Sequence, residues 1–236
     1  PGIVLTSIML YDPSLEGEAP TVLMLLEDGT NGAAGEEEKI KDFTAKGYRV
    51  FILDVRGIGG VRTRAINSRM FNTFHGTFFK ICFDSFMLGT SLLAMRVYDV
   101  TRGVDYLNMR EDVDRSEILL YAKRKMAICG YLASAIDERI SRVHLEDMLV
   151  SYENLVATRL YDRLWDEEIV IHGFLRYFDL VDILPALHGR EYLLINMRDG
   201  MGRLASKRCI EEYWINMVKE HYPVISDLEE RIKCRS

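Results

Sequence analysis

The sequence predicts an α/β fold with one mainly parallel central sheet, and three observations support this. Short β-branched or apolar runs alternate with longer segments of helical period, as strands joined by crossover helices do. A composition of 48% hydrophobic and 28% charged residues is that of a globular chain with a core. At 236 residues, without an internal repeat or low-complexity segment, the chain fits a single domain over 1–236.

The elements follow in order. "GIVLTSIML" (2–10) predicts a strand, "YDPSLEGEAP" a turn, and "TVLMLLE" (21–27) a second strand, the two expected to form an antiparallel edge pair. "GEEEKIKDFTAKG" (35–47) predicts a helix, acidic in its first turn and stopped by Gly47. "YRVFILDV" (48–55) is a buried-type strand. Residues 91–110 carry apolar side chains at 92, 93, 97, 100, 104 and 107, a period of 3.6. "EILLYA" (117–122) is the next strand, and Lys125 to Ile136 the helix after it. "RVHLED" (142–147) and "EYLLINM" (191–197) are further strands, and 204–221 a long amphipathic helix. Two irregular stretches, 61–90 and 151–188, are rich in aromatic residues, including Phe71, Phe74, Phe78, Tyr152, Trp165 and Phe174. Excursions of this kind over the carboxyl edge of a sheet shape a pocket or pack onto the core.

Charge and composition exclude several functions. A net charge of −6 and a pI near 5.5 argue against a nucleic-acid partner, which needs a basic face. No apolar run reaches the roughly 18 residues of a membrane span. Pro1-Gly2-Ile3 is not a signal peptide and reads as the start of a processed chain or fragment, so other domains of a longer chain are expected partners. Cys82, Cys129, Cys209 and Cys234 show no C-x-x-C spacing, and the five histidines show no H-x-x-x-H or H-E-x-x-H spacing. No metal is therefore expected. "RGIGGVR" (56–62) follows a strand but lacks the full dinucleotide fingerprint and a following helix, so no cofactor is expected either.

Five stretches in order carry a resemblance: "APTVLMLLEDGTNG", "KGYRVFILDVRGIGG", "LLAMRVYDVTRGVDYLNMREDVDRSEILLYA", "LASAIDERI" and "LLINMRDG". Together they resemble the α/β-hydrolases, in the acetyl xylan esterase-like and dienelactone hydrolase-like branch, from about Thr21 to Asp199. The resemblance implies a mostly parallel sheet flanked by helices on both faces, with the aromatic insertions over its carboxyl edge. It also implies a secreted or periplasmic setting, which the residues themselves leave open.

In that family a nucleophile sits on a strained strand-to-helix turn among small residues, a histidine takes its proton, and a carboxylate orients the histidine. Counting back from Asp137-Glu138-Arg139-Ile140, the resemblance places Arg124 at the nucleophile position, with Ala122 and Met126 where the family has glycines. An arginine stays protonated and has no lone pair with which to attack a carbonyl. Cys129, the nearest thiol, lies inside the helix. The oxyanion-hole positions become Asp28, Gly29 and the amide of Lys125, with Glu27-Asp28-Gly29 standing where the family has His-Gly. Asp199 matches the acidic position and also reads as a turn aspartate. His221, 22 residues later, is the one histidine that follows it, and it reads equally as a helix-end residue.

Two functions follow from this reading. One is a hydrolase-like domain without its nucleophile, serving a binding or structural role, in which Lys123, Arg124 and Lys125 either hold an anion at the helix start or form a solvated basic turn. The alternative is an active carboxylic-ester hydrolase acting on an acetylated carbohydrate or another small ester, with Ser91 or Ser134 as nucleophile.

Overall fold

The computed structural model describes residues 2–63 and 76–233. Phe71, Phe74, His75 and Cys234 therefore lie outside the described residues. Seven strands form one sheet: β1 (Thr6–Leu10), β2 (Ala19–Leu25), β3 (Arg49–Asp54), β4 (Val113–Lys123), β5 (Arg142–Glu146), β6 (Glu191–Ile195) and β7 (Ile232–Lys233). Their order is β1-β3-β2-β4-β5-β6-β7, and every neighbouring pair is parallel except β1 with β3.

The antiparallel edge is present, but its partner differs from the expectation. β1 pairs with β3, in the register Thr6 with Asp54 through Leu10 with Val50, and not with β2. β2 is almost wholly buried and lies between β3 and β4, so both of its hydrogen-bonding edges are taken by parallel neighbours. β1 begins at Thr6, exposed there and half-buried toward its end, which suits an edge strand.

The helices are α1 (Glu37–Ala45), α2 (Thr77–Met87), α3 (Leu92–Met109), α4 (Lys125–Ile136), α5 (Tyr152–Ala157), α6 (Lys207–Ile210), α7 (Asn216–His221) and α8 (Leu228–Arg231). α6 runs through a π-helical turn (Glu211–Ile215) into α7, so the long helix expected over 204–221 is present from Lys207 with this bulge inside it. A 3₁₀ segment (Gly29–Glu36) leads into α1.

Alternation along the strands sends one set of side chains to each face. Ile40 and Phe43 of α1 pack on Val22, Met24, Val50, Ile52 and Tyr121. The opposite face, with Leu23, Leu25, Phe51, Leu53, Leu120 and Val143, is covered by α3, α4 and the α6–α7 helix, which contributes Trp214. Helices thus flank the sheet on both faces. A methyl group at Gly130 of α4 would lie 2.6 Å from Leu120 Cδ2 and 3.1 Å from Ala122 Cβ, so glycine is what lets α4 lie close on β4.

The insertion between β5 and β6 folds into α5 and three short 3₁₀ turns. Its Tyr152, Trp165 and Phe174 are buried in the core, while Tyr161, Tyr177 and Phe178 are exposed. No single helix among the described residues is long and apolar enough to cross a membrane; α2 and α3 reach that length together only with a bend of 93°.

Candidate functional site

The chain runs from β2 to β3 on one side of the sheet and returns to β4 on the other. The carboxyl ends of β2 and β4 therefore flank the point where strand order reverses, which is where open α/β sheets form their binding crevice. β2 delivers Glu27, Asp28 and Gly29 to this crevice, and β4 delivers Lys123 and Arg124.

β4 ends at Lys123 and α4 begins at Lys125, so the turn between them is one residue, Arg124. Its backbone lies at φ +54°, ψ −126°, a region that a residue with a Cβ adopts at a cost of about 1–3 kcal/mol. Two hydrogen bonds fix it: the Arg124 amide donates to the Glu146 carbonyl of β5 at 2.8 Å, and the Arg124 carbonyl accepts from the Ala127 amide at 3.0 Å. The strained strand-to-helix turn is thus built, with Ala122 and Met126 buried on either side.

Lys123, Arg124 and Lys125 each have a carboxylate partner. Lys123 Nζ lies 2.8 Å from Glu36 Oε1. Arg124 Nη1, on a half-exposed side chain, lies 3.4 Å from Glu27 Oε2. Lys125 Nζ sits 2.8 Å from Asp166 Oδ2 and 3.1 Å from Glu168 Oε1. Glu168 in turn meets Arg96 Nη1 at 2.7 Å, with Arg96 only 1% exposed. The positive charge that Lys123, Arg124 and Lys125 would offer an anion is therefore matched by Glu36, Glu27, Asp166 and Glu168.

Titration behaviour follows from this crowding. Burial works against the ammonium of Lys125, but the Glu168 and Asp166 carboxylates outweigh it and hold its pKa above the ordinary value. Burial likewise raises Glu168, yet Arg96 and Lys125 bring it below the ordinary glutamate range. Asp166 goes the other way, because burial exceeds the help it receives from Lys125. Burial pushes the Cys129 thiol up to about 12, so it is no ready nucleophile.

The positions that the resemblance assigns to an oxyanion hole are arranged unequally. The amides of Lys125 and Met126 stand in the first turn of α4, where no intrahelical carbonyl reaches them. The Gly29 amide instead donates to the Leu26 carbonyl at 3.0 Å, and Asp28 is exposed. Behind this loop the buried Asp54 accepts from the Thr30 amide at 2.6 Å, the Gly60 amide at 2.8 Å and the Thr6 hydroxyl at 2.8 Å. Gly29 and Gly59, both at positive φ, lie against this carboxylate, which explains two of the loop glycines without a cofactor.

Asp199 and His221 are not joined. Asp199 Oδ1 accepts from the amides of Met201 (2.9 Å) and Arg203 (3.0 Å), and Oδ2 faces the Arg203 guanidinium at 2.9 Å. His221 ends α7 as an exposed residue, its ring 6.3 Å from that of Tyr222. Ser91 caps α3, its hydroxyl accepting from the Ala94 amide at 3.1 Å, and Ser134 donates to the Gly130 carbonyl at 2.8 Å; both are buried.

Two cavities flank the turn. One of about 350 Å³ includes Glu27, Gly57, Phe78, Arg96, Lys125 and Glu168 in its wall. The other, about 390 Å³, lies between Glu27, Glu36, Lys123 and Arg124. A larger hollow of about 770 Å³ lies at the amino end of β6, against Glu191 and Tyr192, on the edge of the sheet opposite the switch point. On topology and charge, the turn rather than the larger hollow is the candidate site.

Arg96, Asp166 and Glu168 did not stand out from the sequence. One signal was there: position 96 falls in the buried stripe of α3, and an arginine in such a stripe requires a buried partner.

Comparison with known proteins fixes the fold. No family model matches the chain, and no curated protein matches it. Among solved structures, a Bacteroides fragilis protein assigned as an acetyl xylan esterase superposes with a TM-score of 0.71 at 16% identity, over 99% of this chain. The chain has the α/β-hydrolase fold. It spans 63% of that protein's length. A glucuronoyl esterase from Solibacter usitatus superposes with a TM-score of 0.55 at 15% identity, over 81% of this chain and 58% of that one. An acetyl xylan esterase from Paenibacillus sp. R4 gives 0.54 at 18%, over 89% and 70%. The fold and the esterase-like neighbours agree with the resemblance drawn from the sequence.

Proposed function

We propose that this domain keeps the α/β-hydrolase framework without serine-hydrolase catalysis and serves to bind a small carbohydrate-like ligand or to support a larger assembly. The observation that carries the reading is Arg124 at the strained turn, where the resemblance puts a nucleophile. A guanidinium cannot form an acyl intermediate, and Glu27 pairs with it where an incoming carbonyl would develop negative charge. Asp199 bonded to its own loop, apart from His221, supports the same reading.

The alternative, an ester hydrolase with another nucleophile, draws on the esterase neighbours and on the free amides at the start of α4. Its candidates are Ser91 and Ser134, each bound to backbone and buried. The deciding experiment is hydrolysis of an aryl acetate by the purified domain beside Arg124→Ala, Ser91→Ala and Ser134→Ala. Background rates in all four support the non-catalytic reading. A rate above background that either serine substitution abolishes would sink it.

A further inference from the structure

Four ionised side chains meet beside the cavity of about 350 Å³: Arg96, Glu168, Lys125 and Asp166, linked in that order. Both carboxylates come from one segment of the β5–β6 insertion, at the 3₁₀ turn Glu167–Ile169. That turn is fixed. Trp165 and Ile169 are buried in the core, the Tyr152 hydroxyl donates to the Ile169 carbonyl, and Asp166 Oδ1 accepts from the Glu168 amide at 3.1 Å. The backbone that carries Asp166 is held in place, so what can change here is charge rather than fold.

Charge around the cavity balances while every group is ionised. Arg62, Arg96 and Lys125 stand in its wall with Glu27, Asp28 and Glu168. Behind them Arg124 holds Glu27 and Asp166 holds Lys125, which makes four cations against four carboxylates. Arg62 is exposed and has no carboxylate partner among the described residues. An anion entering this space therefore meets as much negative charge as positive. Neutralising one carboxylate breaks the balance. One unit charge at about 7 Å, across an effective dielectric of about 20, changes the affinity for an anion by about tenfold or more.

Within the linked four, Asp166 gives way before Glu168. It faces Lys125 of α4 and Glu167 and Glu168 of its own turn, with Arg96 of α3 and Cys82 of α2 in the same cluster. Burial raises the pKa of Asp166 beyond what Lys125 takes back, and Glu168 adds to the rise. Burial raises Glu168 too, but Arg96 and Lys125 outweigh it and bring Glu168 below the ordinary range. As pH falls, Asp166 takes up its proton first. A neutral carboxyl still accepts from Lys125 but no longer cancels its charge. We propose that this cavity is a proton-gated anion site: it rejects anions while Asp166 is ionised, and takes a small oxyanion that keeps its charge in mild acid, against Arg62 and Lys125, once Asp166 is neutral. The inference rests on the reading that this crevice binds without catalysis, and it adds the ionic state in which binding occurs.

Sulfate is the probe, because it stays ionised throughout the range in which a carboxyl group titrates. Amide-resolved NMR titrations of the full chain at about pH 7 and about pH 4.5, at constant ionic strength, read the shifts of Gly57, Gly59 and Lys125 in the cavity wall. The parent chain is expected to bind sulfate about tenfold tighter, or more, at the lower pH. Asp166→Asn keeps the side-chain oxygen that accepts from the Glu168 amide. It is expected to bind sulfate at neutral pH as the parent does in acid, and to lose the pH dependence. Arg62→Gln, at an exposed position, is expected to weaken sulfate about tenfold in the Asp166→Asn chain. Both of these variants are read at neutral pH, so acid unfolding of the parent would not leave the question open. Equal affinity of the parent at the two pH values overturns the proposal. So does an Asp166→Asn chain that ignores sulfate at neutral pH or still gains affinity on acidification, or an Arg62→Gln change without effect. Aryl-acetate turnover would refute the non-catalytic reading on its own and leave the sulfate curves as a separate result.

Discussion

Replacing Arg124 by glycine and, in parallel, by alanine tests whether the turn holds the strained geometry described. Both variants lose the Arg124–Glu27 pair, which at 3.4 Å on a half-exposed side chain is worth at most about 1 kcal/mol. That loss is common to the two and cancels in their difference. What remains is the backbone. At φ +54° alanine carries a strain of about 1–3 kcal/mol that glycine escapes. Glycine in turn loses about 0.4–1 kcal/mol through the greater freedom of its unfolded chain. The glycine variant is therefore expected to be more stable by about 1 kcal/mol, with the bracket running from near zero to 2.5 kcal/mol. For a domain of this size that is a Tm difference of about 2–4 °C, read by urea unfolding or thermal circular dichroism. An alanine variant more stable than the glycine variant would mean that position 124 has ordinary backbone angles. The elbow would then be misplaced, and the functional reading built on it would fall with it.

Two further outcomes follow from the packing. Gly59→Ala is expected to cost about 3 kcal/mol or more, because its methyl would lie 2.1 Å from Asp54 Oδ1 in a residue already at positive φ. Gly47→Ala, at φ +82° with nothing within 4 Å, is expected to cost only about 1 kcal/mol, and equal losses in denaturant melts would contradict the Asp54 cradle. Glu146 accepts from the Tyr121 hydroxyl at 2.8 Å and from Lys39 Nζ at 3.1 Å; burial raises its pKa, but these partners win and hold it below the ordinary 4.5. The stability it contributes is thus full above pH 4.5 and fades as pH falls through its folded value. Glu146→Gln is expected to cost about 1–2 kcal/mol near neutrality and to flatten the acid limb of a stability-versus-pH curve; an unchanged acid limb would show that Glu146 is not charged in the fold.

How far the sequence could be read depended on how local the deciding forces were. The boundaries of α4 at Lys125 and Ile136, the start of α3 near Ser91 and the burial of β3 follow from periodicity and apolar runs within a few positions. The abrupt strand-to-helix turn was likewise legible to within a residue, from a strand expected to end at Ala122 and a helix at Lys125; the structure carries the strand on to Lys123 and leaves Arg124 alone in the turn. The partner of β1 was not legible. Its sequence fits an edge, but hydrogen bonds to β3 or to β2 satisfy its backbone equally, and the choice falls to how β2 is consumed between two parallel neighbours.

The site divides along the same line. The sequence by itself put Lys123, Arg124 and Lys125 together as a basic run at a helix start, and the family resemblance pointed to Asp28 and Gly29. Only the tertiary structure decided what that charge meets. Glu27 lies 97 residues from Arg124, Glu36 lies 87 from Lys123, and Glu168 lies 43 from Lys125. Each pair forms because strand order reverses at β2 and β4 and because the β5–β6 insertion folds back over α4. An ion pair depends on the distance between its charges and not on their separation along the chain, so residues that the sequence left open between an anion site and a solvated basic turn form a neutralised turn in the fold.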